Sequence, residues 1–197
     1  MKKFFIVAIA ALMATASVKA QHEEGDKTIQ PRVGISISSL SNMDGVKSKV
    51  NVTYGVEGEY FITDEISVAG GLLFTDEGAK LDDNSTLKLY YTALPVTLNY
   101  HVLPGLALKA GVQPAYRLNA KMEVDGVKAD LDRFFALYYG EEVKMNKFDL
   151  SFPVGLSYEY SGVTLDARYN FGVTKLFSGI DETVTNKMLV VTLGYKF

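Results

Sequence analysis

The sequence predicts an all-β fold, an eight-stranded antiparallel up-and-down transmembrane β-barrel. Three observations support this prediction. Apolar and polar residues alternate with a period of two through most of the chain, and the links between predicted strands alternate between short and long. Beyond the first 20 residues, no apolar run approaches the ~18 residues that a membrane helix needs. Because successive strand side chains point to opposite faces, the alternation provides each strand with one apolar and one polar face.

The N-terminus has the three-part pattern of a secretory signal peptide. Met1-Lys2-Lys3 is basic, Phe4 to Ala16 is apolar, and Val18-Lys19-Ala20 predicts cleavage after Ala20. Cleavage removes three lysines and no acid, so the formal charge changes from −3 to −6. The predicted division is a signal peptide over 1–20, a short periplasmic segment over 21–31 and the barrel over 32–197.

The hairpin at Phe148–Thr174 shows the strand pattern most clearly. From Phe148 to Tyr160 every even-numbered residue is apolar or aromatic. Ser161-Gly162 then forms a two-residue turn, and the pattern resumes from Val163. In chain order, the predicted strands are Arg32–Leu40, Val50–Ile62, Ile66–Thr75, Thr86–Val102, Leu106–Leu118, Phe148–Tyr160, Val163–Thr174 and Lys187–Phe197. The one helical pattern lies inside Ala129–Val143.

The lengths of the links predict which end of the barrel faces outward. The links near residues 64, 104 and 161 have two or three residues, whereas those at 41–49, 76–85, 119–147 and 175–186 are long and polar. One end therefore has every short turn and both termini. Outer-membrane barrels have short periplasmic turns and longer outer loops. We therefore expect the cell outer membrane as the location, with the N- and C-termini in the periplasm.

The polar face of the strands predicts a charged lumen filled by side chains. It carries five positive and five negative residues: Arg32, Glu57, Glu59, Lys109, Arg117, Asp149, Glu159, Asp166, Arg168 and Lys196. The apolar face has almost no charge, apart from Asp76 and Lys88 at its loop-side ends. A membrane barrel turns its apolar face to lipid, and its enclosed charges must pair. A soluble, lipocalin-like periplasmic carrier, with its apolar face inside, is the alternative.

Aromatic residues of the apolar face fall into two groups, as expected for the two membrane interfaces. Those toward the short turns are Tyr60, Tyr100, Tyr158, Tyr160, Tyr195 and Phe197, and those toward the long links are Phe74, Tyr90, Tyr116, Phe148 and Phe171.

Glycines recur on the polar face, where they either make room for charged side chains or allow the strands to curve. They are Gly34, Gly55, Gly71, Gly111, Gly155, Gly172 and Gly194. Pro95, Pro114 and Pro153 interrupt the strand pattern, so the facing of residues near them is left open.

Two segments resemble PorT-like outer-membrane β-barrel domains. Phe148 to Phe177 is similar to a late hairpin of that family, and YYTALPVTLNY, Tyr90 to Tyr100, is similar to one of its strands. The closing LGYKF, with Leu193, Tyr195 and Phe197, resembles the outer-membrane assembly signal. The resemblance implies a Gram-negative outer membrane and contact with its lipid. It also implies insertion by the barrel-assembly machinery with periplasmic chaperones, and a role near secretion or the envelope.

The residues that would carry chemistry are few. The chain has no cysteine, its two histidines, His22 and His101, are far apart in sequence, and no basic cluster indicates a nucleic-acid partner. We expect no catalytic residue, metal or cofactor. The long link holds an aromatic group, Phe134, Phe135, Tyr138 and Tyr139, which either contacts a partner or caps the barrel.

The sequence therefore predicts a non-enzymatic outer-membrane barrel that is structural or that binds an extracellular or envelope protein through its long loops. A narrow channel for small solutes is the alternative within the same fold.

Overall fold

The computed structural model describes residues 22–41, 47–80, 85–124, 127–131, 144–178 and 184–197. Within these ranges the strands are β1 (Lys27–Leu40), β2 (Lys47–Phe61), β3 (Ile66–Lys80), β4 (Ser85–Ala93), β5 (Val96–Leu103), β6 (Leu106–Val124), β7 (Val127–Asp130), β8 (Lys144–Met145), β9 (Phe148–Tyr160), β10 (Val163–Gly172), β11 (Phe177–Ser178) and β12 (Asn186–Tyr195). In this part of the chain, no helix is long and apolar enough to cross a membrane.

The strands close into a single antiparallel barrel. Around the wall, the order of neighbouring strands is β1, β2, β3, then β4 together with β5, then β6, β9, β10 and β12. The wall closes because β12 pairs with β1. Because β4 and β5 both pair with β3 and β6, they together form one strand position of the wall. The barrel therefore has eight strand positions. The predicted fold class is confirmed.

The two ends of the barrel differ, as the link lengths predicted. The turn end has the links 62–65, 104–105 and 161–162 and both ends of the barrel chain. Residues 94–95 lie within the wall between β4 and β5, and the other links belong to the loop end. The strands extend further at the loop end than the alternation indicated. β3 continues to Lys80 and pairs with β4 up to Thr86, so the predicted long link 76–85 shrinks to 81–84. The first two residues of the predicted helical stretch, 129–130, belong to β7, and 132–143 lie outside the described residues.

The barrel has an apolar outer surface and a largely polar interior, which we call the bore. On β1, Val33, Ile35 and Ile37 are exposed, whereas Arg32 and Ser36 are buried. All the residues of the two aromatic groups point outward, and their rings lie at the two ends of the wall. The exterior is thus the kind of surface that stabilises a protein in lipid rather than in water.

The prolines do not reverse the facing of their strands. Ala93, Pro95 and Thr97 are all buried in alternation with exposed Leu94 and Val96. The buried and exposed positions around Pro114 and Pro153 also continue to alternate.

The one change of parity on β6 lies further along, at Leu118. There, Tyr90 pairs with Asn119 and Tyr91 with Arg117, so Leu118 is a bulge and the next buried residue is Ala120. Since the sequence offers no proline or glycine at this bulge, the alternation alone did not reveal it.

The glycines of the polar face point into the bore, where the adjacent strand leaves no room for a Cβ. At Gly34 a Cβ would collide with the carbonyl oxygen of Val191, and at Gly155 with that of Ala167. The nearest atoms at most of these glycines are backbone atoms of the neighbouring strand. Of the two roles considered for them, the geometry favours strand curvature in a narrow barrel.

Toward the loop end the interior also contains an apolar cluster. This cluster of buried residues contains Leu40, Leu73, Leu87, Leu89, Tyr91, Ala93, Ala115, Ala120, Leu131, Leu176 and Val184. Several of these side chains come from β4, whose inward positions are apolar. The predicted polar lumen is therefore interrupted by an apolar cluster at the loop end, where Arg117 and Asp149 are also buried.

Candidate functional site

A cluster of five charged residues lies across the bore. We call it the central cluster, and it consists of Arg32 on β1, Glu57 on β2, Lys109 on β6, and Asp166 and Arg168 on β10. All five residues are buried. Every acid in it contacts all three cations, so side chains from four positions of the wall meet at one level.

The distances within the central cluster are those of charge-assisted hydrogen bonds. Arg32 Nη1 donates to Glu57 Oε2 over 2.5 Å, and Arg32 Nη2 lies 3.1 Å from Asp166 Oδ2. Lys109 Nζ donates to Glu57 Oε1 and to Asp166 Oδ2, both over 3.0 Å. Arg168 Nη2 donates to both oxygens of Glu57 over 2.8 Å, and its Nε donates to Asp166 Oδ1 over 2.7 Å.

Strand register brings these long side chains to one level and gives each cation a neighbour without a side chain. Arg32 pairs with Gly55 on one side and Gly194 on the other. Arg168 and Lys109 both pair with Gly155. At Gly55 and Gly155 a Cβ would meet the backbone of the adjacent strand, so a larger residue would disturb the register that sets this level.

A second cluster, the turn-end cluster, closes the bore near the short turns. Lys196 Nζ lies 2.7 Å from Glu59 Oε2 and 2.8 Å from Glu159 Oε2. Lys196 follows the last residue of β12, and burial acts to lower the pKa of its ammonium group, but Glu59 and Glu159 outweigh burial and raise it. The central cluster has a formal charge of +1 and the turn-end cluster has a formal charge of −1, so the charges of the two clusters balance.

Residues before β1 fold over this end of the bore. His22 stacks on Phe61 with 4.4 Å between ring centroids, and its Nε2 lies 3.2 Å from Glu159 Oε2. His101 packs on the same Phe61 ring, with 5.0 Å between the ring centroids. Backbone bonds anchor the segment, since Gly25 N donates to Phe61 O over 2.9 Å. The sequence offered no sign that His22 is ordered, because its partners are distant in the chain.

Ser67, His101 and Glu59 meet at the turn end, a grouping that the sequence did not predict. Ser67 Oγ donates to Glu59 Oε1 over 2.5 Å and lies 3.0 Å from His101 Nε2. In a catalytic triad, the histidine uses one ring nitrogen for the serine and the other for the acid. Here Nε2 faces both, at 3.5 Å from Glu59 Oε1, and Ser67 is completely buried. These three residues therefore lack the geometry and the access that acyl transfer requires.

The other two predicted lumen residues lie at the loop end, apart from both clusters. Asp149 accepts a hydrogen bond from Thr174 Oγ1, and Arg117 Nε donates to the carbonyl oxygen of Asn146 over 3.4 Å. Both are buried.

Sequence reasoning missed two residues at this level, because it placed both in long links. Lys49 and Glu77 are buried in the bore, and Lys49 Nζ donates to Asp76 Oδ1 over 3.0 Å. Asp76 keeps the outward position expected for it, because it is half-buried between buried Thr75 and Glu77 and pairs with exposed Tyr90.

The remaining predicted residues have different positions. Phe134, Phe135, Tyr138 and Tyr139 lie outside the described residues. Leu193, Tyr195 and Phe197 lie on the outer surface and are exposed, and the rings of Tyr195 and Phe197 are 4.8 Å apart.

A closed barrel with an apolar exterior, aromatic ends and a bore crossed by paired charges defines the class of transmembrane barrels of the outer-membrane type. Residues 6–197 match the outer membrane protein beta-barrel domain family, and the chain belongs to it. The protein is therefore an outer-membrane protein. No curated protein sequence matches the chain.

Solved structures show the same fold at low sequence identity. Ail, the attachment invasion locus protein of Yersinia pestis, matches with a TM-score of 0.54 and 18% identity, over 88% of this chain and 99% of that one. Ail in complex with the heparin analogue sucrose octasulfate matches with a TM-score of 0.54 and 17% identity, over the same shares of the two chains. Neisserial surface protein A matches with a TM-score of 0.55 and 16% identity, over 87% and 97%.

Proposed function

We propose that the protein is a non-enzymatic structural barrel of the envelope that is closed to solutes and binds a partner through its loops. The observation that supports closure is the central cluster, whose side chains meet from four positions of the wall. An eight-stranded barrel has an interior only wide enough for side chains to fill. The apolar cluster of the loop end lies on the same path.

Conductance across planar lipid bilayers tests closure. We expect the wild-type protein to give no stable open current. The double variant Glu57→Ala/Arg168→Ala is the matched control, because it removes one acid and one base and keeps the charge of the bore unchanged. A current in this variant alone would assign closure to the central cluster. A stable current from the wild type would favour a narrow channel and contradict the proposal.

The proposal places the turn end and both termini in the periplasm. The chain has no cysteine, so single cysteines can report the orientation. A membrane-impermeant maleimide added to intact cells should label Lys175→Cys, which is exposed at the loop end, and leave Ser161→Cys unlabelled. The reverse pattern would contradict this orientation.

The aromatic group of the long link is proposed as the contact surface for an extracellular or envelope protein. Deleting Lys128 to Val143 should leave the barrel folded, because the strands that close the wall lie outside this segment. A photo-crosslinking residue in place of Tyr138 should form adducts in intact cells. Replacing Phe134, Phe135 and Tyr139 by serine should remove them, and unchanged adducts would contradict the contact role.

Two steps of biogenesis complete the proposal. Export should remove residues 1–20, so mass spectrometry of the purified protein should find Gln21 as the first residue. The exposed side chains of Leu193, Tyr195 and Phe197 are proposed as the signal for the barrel-assembly machinery, after delivery by periplasmic chaperones. Deleting Phe197 should lower the folded amount in the outer membrane. The resemblance to PorT-like barrels supports a role near secretion or the envelope.

A further inference from the structure

Two buried carboxylates at the loop end belong to neither charge cluster. Glu77 on β3 and Asp149 on β9 line one small cavity, and both are more than nine-tenths buried. The described residues that line this cavity are Glu77, Asp149, Ser151, Asn170, Asn186 and Met188, and they include no lysine or arginine. The two acids therefore share a buried space in which no lysine or arginine of the lining compensates their charge. An uncompensated buried charge of this kind is costly.

A neutral side chain in the same cavity also points to a ligand. Asn170 is 4% exposed and lines the cavity, and its Oδ1 has no hydrogen-bond partner among the described residues. Buried carbonyl oxygens normally have a partner. An unpaired acceptor beside two carboxylates is an environment for a positively charged ligand.

The space and the free lone pairs are compatible with a single ion. The cavity leaves about 10 Å³ for the centre of a water-sized sphere, which is room for one water molecule or one small ion. Asp149 accepts a hydrogen bond from Thr174 and also contacts the Asn186 side chain, and its two carboxylate oxygens have further lone pairs for a cation. Ser151 Oγ donates to Gln113 O over 3.4 Å, so its own lone pairs are available too.

We propose that this cavity binds a small hard cation, Ca²⁺ or Na⁺, through oxygens of Glu77, Asp149 and Asn170. Such cations are held by carboxylate and amide oxygens. The described residues contain no group of three or more His, Cys, Asp or Glu that could hold a metal ion, so neutral oxygens have to complete the coordination. Glu77 reaches the cavity from β3, whereas Asp149 and Asn170 belong to β9 and β10. The cation would therefore tie together parts of the wall that do not pair with each other.

Thermal unfolding of the full-length barrel in detergent tests the site. After treatment with EDTA, the unfolding midpoint is measured in CaCl2 or in NaCl, with choline chloride keeping ionic strength constant. We expect one of the two cations to raise the midpoint with saturation, as a ligand of the folded state does. A response to CaCl2 alone identifies a divalent site, and a response to NaCl alone a monovalent one. Glu77→Gln should weaken the apparent affinity at least tenfold.

Asp76→Asn is the matched control, because Asp76 is the adjacent acid but pairs with Lys49 and does not line the cavity. It should keep the wild-type response. Where Glu77→Gln does not fold, Asn170→Leu and calorimetric titration of CaCl2 provide a second comparison, with at least tenfold weaker binding expected. An unchanged response in these variants would overturn the proposal. A wild-type barrel that responds to neither cation would also overturn it, because protonation and not a bound cation would then neutralise Glu77 and Asp149.

Discussion

Arg168 Nη2 lies 2.8 Å from both carboxylate oxygens of Glu57, although the two residues are 111 positions apart in the chain. Arg168 belongs to β10 and Glu57 to β2, and these strands do not pair with each other. The contact therefore crosses the bore. It links two strands through their side chains, because backbone hydrogen bonds do not join β2 to β10.

Replacing Arg168 by methionine should strongly destabilise the barrel. The change keeps most of the side-chain volume but leaves Glu57 and Asp166 with less compensation, and removing one partner of a buried pair costs about 3–5 kcal/mol. Urea unfolding in detergent or lipid vesicles measures the loss. Lys88→Met is the control, because Lys88 pairs with Glu123 at a partly exposed site where a pair contributes about 0–1 kcal/mol. Equal losses for the two variants would contradict the importance of the central cluster.

Gly34→Ala should hinder folding, because its Cβ would meet the carbonyl oxygen of Val191 on the adjacent strand. Overpacking of this kind costs about 1–3 kcal/mol or more. Gly58→Ala is the matched control, since the nearest atom to its Cβ is 3.8 Å away and the position is exposed. Heat-modifiable migration on a detergent gel reports the folded fraction. If both variants fold equally well, the inward glycines are not required for close approach of the strands.

Val154→Arg should destabilise the barrel more than Tyr160→Arg does. Both residues lie on the outer surface of β9, but Val154 lies midway along the strand and Tyr160 at its turn end. An arginine facing lipid costs about 2–4 kcal/mol at the bilayer midplane and about 0–1 kcal/mol near an interface. Urea unfolding in lipid vesicles compares the two. A larger loss at Tyr160 would place the membrane at a different height on the wall.

Phe61→Ala should destabilise the turn end, because Phe61 is almost fully buried between His22 and His101. Removing a buried phenylalanine side chain costs about 3–5 kcal/mol. Tyr60→Ala is the neighbouring control on the outer surface and should lose less. Protease digestion of the N-terminal segment is a second readout, since residues 22–26 should become cleavable only in Phe61→Ala. Equal cleavage in both variants would argue against the packing of His22 on Phe61.

Much of this fold could be predicted because a strand's facing depends on a local rule. Alternation with a period of two places Arg32, Glu57, Asp166 and Arg168 on one face of their strands without knowledge of any partner. Leu118 shows where the rule fails. The bulge there changes the facing of the rest of β6, and the cost or benefit of such an irregularity depends on the neighbouring strand.

The sequence by itself determined the number of strands in the wall, the two different ends and the outward aromatic residues. Each of these depends on residues close together in the chain. Only the tertiary structure decided which charges meet. The chain alone did not show that Arg168 contacts Glu57, that His22 covers the turn end, or that Glu77 and Asp149 share a cavity. The reason is geometric: closure of the barrel and the stagger of its strands decide which inward side chains lie at the same level.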